Sequence, residues 1–116
     1  MRLTELHPEW RHWAGDAMRD GVIVIPATSP EKAIGITFDC PIHRAAHRVH
    51  VDFANPFDGA DPVKRKNLWK RTGETFETLT TAPSVDYTKY DDGAVRDPTC
   101  WHGYIGQTIP GEVTTC

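Results

Sequence analysis

Two cysteines in this chain stand close to histidines, in Cys40-Pro41-Ile42-His43 and in Cys100-Trp101-His102. Thiolate and imidazole are the ligands of structural zinc, which takes four of them in a tetrahedron, commonly as two close pairs brought together by the fold. A ligand at a strand end followed by a turn can fold the second ligand back onto the same ion, and Pro41 fixes φ for such a turn. In the second pair, residues i and i+2 of a strand share a face, so Cys100 and His102 can reach one ion while Trp101 points away. Two thiolates neutralise Zn²⁺ and two neutral imidazoles complete the shell, so the site carries no net charge and tolerates burial. The expected site is therefore one structural zinc on Cys40, His43, Cys100 and His102. The competing reading makes Cys40 a buried core thiol and leaves the histidines as hydrogen-bonded or surface residues. Cys116, His47 and His50 are substitute ligands, although His47 falls on an apolar face that suits a core histidine.

The elements that must position these residues are read from periodicity. Trp10, Trp13, Ala14, Ala17 and Met18 recur at helical spacing, with Pro8 at the start and Gly21 at the stop, which predicts a short helix over 8–19. Residues 22–25 form a β-branched run ended by Pro26. Ile34, Ile36, Phe38 and Cys40 alternate with small or polar residues over 33–40, and His47, Val49, Val51 and Phe53 do so over 47–53. Further strands are expected at 76–81, 100–108 and 113–116. Residues 55–63 read as a loop and 86–98 as a polar segment with a turn at Asp91-Asp92-Gly93. The fold class that follows is mostly β: one small antiparallel domain over 1–116, sandwich-like, barrel-like or zinc-ribbon-like, with one short N-terminal helix.

Composition bounds the function. The chain has 116 residues, 13 basic and 16 acidic, for a net charge of −3. That balance argues against generic electrostatic binding to nucleic acid or to an anionic membrane. No apolar run approaches the roughly 20 residues that span a bilayer, and the N-terminus lacks the apolar core of a signal peptide. Three cysteines are an odd set that cannot close a disulfide framework without remainder. A cytoplasmic setting with reduced thiols is the expectation.

Three segments resemble a known family. Ile36-Thr37-Phe38-Asp39-Cys40-Pro41-Ile42-His43, then Leu79-Thr80-Thr81-Ala82-Pro83-Ser84-Val85, then Cys100-Trp101-His102-Gly103-Tyr104-Ile105 look like the DUF6527 family of small bacterial, phage and prophage proteins. The resemblance covers about the central and C-terminal two thirds of the chain. It implies a zinc-binding β domain of phage or prophage origin, placed in the host cytoplasm or in a virion. The commoner family pattern has a second cysteine soon after the proline, where this chain has His43.

Three functional classes follow. The first is a non-enzymatic zinc-stabilised domain acting through protein contacts, with a virion or host protein as partner and exposed strand edges as the interface. The second is a zinc-dependent hydrolase, which needs only three protein ligands, a water in the fourth position and a base such as Glu74 or Glu77. The third is a nucleic-acid-binding module built on Lys64, Arg65 and Lys66, with Trp69 as a stacking platform; the bland alternative there is a solvated basic face. The first class is the expectation, with no catalytic residue assigned.

Overall fold

Alternation of apolar side chains builds the centre of the molecule. In the computed structural model, which describes residues 1–13, 24–90 and 93–116, Gly35–Cys40 form a strand buried along its whole length. Its partner is Arg44–Asp52, paired antiparallel so that Ile36 faces Val51 and Phe38 faces Val49. With Glu9–Trp13 as β1, Val24–Ala27 as β2 and these two strands as β3 and β4, the first sheet has the order β2-β1-β3-β4. Lys70–Thr72 (β5) and Thr80–Ala82 (β6) pair as a two-stranded ribbon. Val85–Asp86 (β7), His102–Ile105 (β8) and Val113–Thr115 (β9) form a third antiparallel sheet in the order β7-β8-β9. The protein is mostly β, as its alternating segments predict.

The N-terminal helix expected over 8–19 does not extend over its first residues. Residues 9–13 are strand β1, and residues 14–19 lie outside the described residues, as do 91 and 92 of the expected turn. Among the described residues near the N-terminus, the helical element is a 3₁₀ turn, Leu3–Leu6, whose two leucines are fully buried. The helical spacing of Trp10 and Trp13 yields to pairing. Trp10 is paired with Ala27 on one side and Ile36 on the other, and aromatic residues suit a pleated, half-buried surface. On a strand the two tryptophans face opposite sides. Trp10 enters the core, and Trp13 donates its indole N–H to the Asp61 carbonyl at 2.9 Å. The run expected to stop at Pro26 continues to Ala27. Proline is tolerated there because β2 is an edge strand of this sheet.

All three sheets close over one apolar core. Trp10 stacks on Phe76 at 4.6 Å and meets Phe57 edge-on at 5.2 Å, while Phe38 meets Trp101 edge-on at 5.8 Å. Leu79, Val85, Ile105 and Val113 join from the later strands. Gly103 is required in β8, because a Cβ there would lie 1.9 Å from the Thr114 carbonyl oxygen of β9. The core face of β3 therefore ends at Cys40, and the start of β8 lies directly beyond it.

Candidate metal centre

Three features of the β3–β4 hairpin bring its ligands together. The regular pairing runs from Gly35–Asp52 to Asp39–Arg48 and then slips, so that Cys40 pairs with Arg44. Pro41, Ile42 and His43 form the turn, and Arg44 takes a left-handed φ of 55°. The Ile42 amide donates to the Cys40 sulfur at 3.4 Å, which fixes the sulfur against the turn. His43 folds back over the turn with its Nδ1 3.7 Å from Cys40 Sγ. His47, where the regular register would have faced Cys40, turns the same way.

Cys100 arrives from the other side of the core. It precedes β8, in a turn fixed by Asp97, whose carbonyl accepts the Cys100 amide at 3.0 Å and whose side chain accepts the Thr99 amide at 2.9 Å. Its Sγ lies 4.0 Å from Cys40 Sγ and 3.6 Å from His47 Nδ1. One ligand atom from each of Cys40, His43, His47 and Cys100 lies within 4.8 Å of all the others. This group can hold one metal ion. Both cysteines are buried, both histidines are half-buried, and neither cysteine is in a disulfide.

The electrostatics suit a cation that displaces protons. Burial pushes the Cys100 thiol above its ordinary value, an effect that the Trp101 backbone amide partly offsets. Burial, then the nearby Arg96, lowers the His47 imidazole and keeps it neutral, with a lone pair to offer. His43 presents Nδ1 to the cluster and turns Nε2 toward the Asp97 carboxylate at 3.9 Å, the side on which a carboxylate orients a ligating histidine through its other nitrogen. At His47 the outer partner is a donor instead: the Arg96 guanidinium lies 3.2 Å from Nε2. An arginine only donates, so Nε2 accepts and the proton sits on Nδ1, facing Cys100. Binding a cation through Nδ1 moves that proton to Nε2 and requires Arg96 to let go.

The expected ligands divide three to one. Cys40, His43 and Cys100 come together, whereas His102 does not join them: its Nε2 faces the Ser84 hydroxyl at 3.4 Å. The i, i+2 rule fails because Cys100 lies in the turn before β8, which begins at His102. Strand parity held the signal that finds His47. Phe38 faces Val49, so one further step of two residues along each strand brings Cys40 opposite His47 on the core face. Cys116 is exposed, and His50 is exposed on the wall of a separate cleft. Of the basic segment, Arg65, Lys66 and Trp69 line that cleft, while Lys64 is exposed and stands off its wall. No family model, curated protein or solved structure matches the chain.

Proposed function

We propose that this chain is a non-enzymatic binding domain whose fold is fastened by one structural Zn²⁺ on Cys40, His43, His47 and Cys100. The geometry of the four ligands carries the reading. Zinc bonds of about 2.3 Å to sulfur and 2.0–2.1 Å to nitrogen, set at tetrahedral angles, imply edges of about 3.8 Å between sulfurs and about 3.6 Å from sulfur to nitrogen. Three of the six edges here are 4.0 Å between the sulfurs and 3.7 and 3.6 Å from sulfur to nitrogen, and the other three are at most 4.8 Å. A tetrahedral S₂N₂ set selects zinc among the divalent ions with hard oxygen preferences excluded, and two thiolates cancel its charge. Four protein ligands leave no position for an attacking water, which favours a structural role over a hydrolase.

The working surface is then a contact surface. The resemblance of three segments to small phage and prophage proteins supports a virion or host protein as partner, reached through exposed strand edges. Cobalt(II) in place of zinc tests the coordination. The expected result is the intense visible absorption of a tetrahedral thiolate site, unchanged by added azide. A spectrum that shifts with azide reveals an open position and makes the hydrolase the better reading.

A further inference from the structure

A cleft of about 870 Å³ opens between the end of β4, the segment leading into β5, and β7. That size falls within the range of small-molecule sites, roughly 300–1,000 Å³. Its charge is opposite to that of the chain as a whole. Four cations, Arg65, Lys66, Lys89 and Arg96, line it against two carboxylates, Asp52 and Asp86. Asp52 is already bound by Arg11 at 2.7 Å and by Arg65 at 3.5 Å, so it offers little to a ligand and leaves the two lysines, among the described residues, as unpaired cations of the cleft. Among the described residues, neither Lys66 nor Lys89 has a carboxylate within ion-pair distance, and both are exposed. A protein with net charge −3 thus gathers, among its described residues, more cations than carboxylates in one concavity.

Aromatic rings stand beside the cations. Trp69 is held by its indole N–H to the Ser84 carbonyl at 3.1 Å, and Tyr87 is anchored by its hydroxyl to both the amide and the carbonyl of His50, at 2.7 and 2.8 Å. These two rings form fixed walls. Tyr90, 59% exposed, is an aromatic face turned to solvent at the rim. Cations flanking an exposed aromatic face are the two elements of nucleotide capture: phosphate is held by charge and the base stacks on the ring.

We infer that this cleft binds a nucleotide, with its phosphate among Lys66, Lys89, Arg65 and Arg96 and its base on Tyr90. None of the four metal ligands lines the cleft, and the two sites meet at Arg96, which also touches His47 Nε2 at 3.2 Å. One ligand chemistry has two sources here, a free nucleotide or a single-stranded nucleic acid, since each presents phosphate beside an unpaired base.

Calorimetric titration of the metal-replete full chain with AMP, a 12-residue oligo(dT), inorganic phosphate and polyglutamate tests the inference. Saturable binding of AMP or of the oligonucleotide, tighter than that of phosphate, supports it. AMP binding as tightly as the oligonucleotide marks a free-nucleotide site. Tighter oligonucleotide binding that weakens with salt marks a single-strand site. Tyr90→Ala should weaken either ligand by about 5- to 150-fold, the contribution of one stacked base, and Lys66→Ala with Lys89→Ala should weaken AMP, the oligonucleotide and phosphate alike. These three side chains are exposed, so melting temperature and metal content should stay at the native values. Binding to none of the nucleotides, phosphate binding as tightly as AMP, polyglutamate binding equally well, or indifference to Tyr90→Ala would each overturn the proposal.

Discussion

His47 places Nδ1 3.6 Å from the sulfur of Cys100, a residue 53 positions later that enters from the turn before β8. His102, only two positions from Cys100, turns to Ser84 instead. The contrast makes a direct mutational prediction. His47→Ala should weaken metal binding by more than about 100-fold, beyond the 10- to 100-fold typical of outer partners of a ligand, whereas His102→Ala should leave it unchanged. Competition titration against a chromophoric chelator reads both values, and a loss confined to His102→Ala would reassign the fourth ligand.

Arg11 and Asp52 predict a second effect, far from the metal. Their side chains are only 7% and 4% exposed, and they meet at 2.7 Å. Burial opposes both charges, lowering the Arg11 pKa and raising that of Asp52, while each charge offsets the other's penalty. Asp52→Ala strands a buried guanidinium and should cost about 3–5 kcal/mol. The pair Arg11→Met with Asp52→Leu should recover most of that loss. Urea denaturation of the single and double variants measures it, and a double variant no better than Asp52→Ala would refute the argument.

A third prediction concerns acid. Asp39 accepts hydrogen bonds from Arg48 at 2.8 Å and pairs with His7 at 2.8 Å, and these partners hold its carboxyl below the ordinary 3.8. A carboxyl with a depressed folded-state pKa binds fewer protons folded than unfolded. Its contribution is complete above pH 3.8 and disappears as pH falls through the folded-state value. Melting curves of the native chain and Asp39→Asn should therefore differ most near neutrality and converge below pH 3.8. A gap that widened in acid would contradict this.

Close backbone approach gives a fourth. Gly103→Ala sets a Cβ 1.9 Å from the Thr114 carbonyl and 2.6 Å from the Trp101 indole nitrogen, groups that cannot retreat without opening the β8–β9 pairing. The expected cost exceeds about 4 kcal/mol, in the range reserved for core disruption. Thermal unfolding near that of the native protein would show that β9 yields more easily than its packing implies.

What was legible in the sequence follows the strength of local signals. Alternation over Ile34, Ile36, Phe38 and Cys40 announces a strand because one local hairpin satisfies it, with its register slipping only at Cys40, and Pro41-Ile42-His43 forms the turn where it was expected. Trp10 and Trp13 misled because a spacing of three fits one helical face as well as opposite faces of a strand, and only pairing with Ala27 and Ile36 decides between them. His47 was weighed as a core histidine, which is half of what it is. Its parity with Val49 does point it inward, but toward the sulfurs at the end of the core. The cleft was invisible as a cavity, since Lys89 and Arg96 reach Lys66 only through the third sheet.

The central claim is that Zn²⁺ fastens Cys40 to Cys100 across 60 residues, a loop long enough for its closure to restrict the unfolded chain strongly. Structural zinc sites in small peptides bind with about 10–16 kcal/mol, and that energy becomes folding energy. The decisive measurement is metal content by elemental analysis, paired with melting temperature, for the protein purified without chelator and for Cys100→Ser. One zinc per chain is expected in the native protein, with zinc lost and the melting temperature sharply lowered in Cys100→Ser, and the same fall on adding EDTA to the native chain. A native protein that carries no zinc and melts identically with and without EDTA contradicts the account.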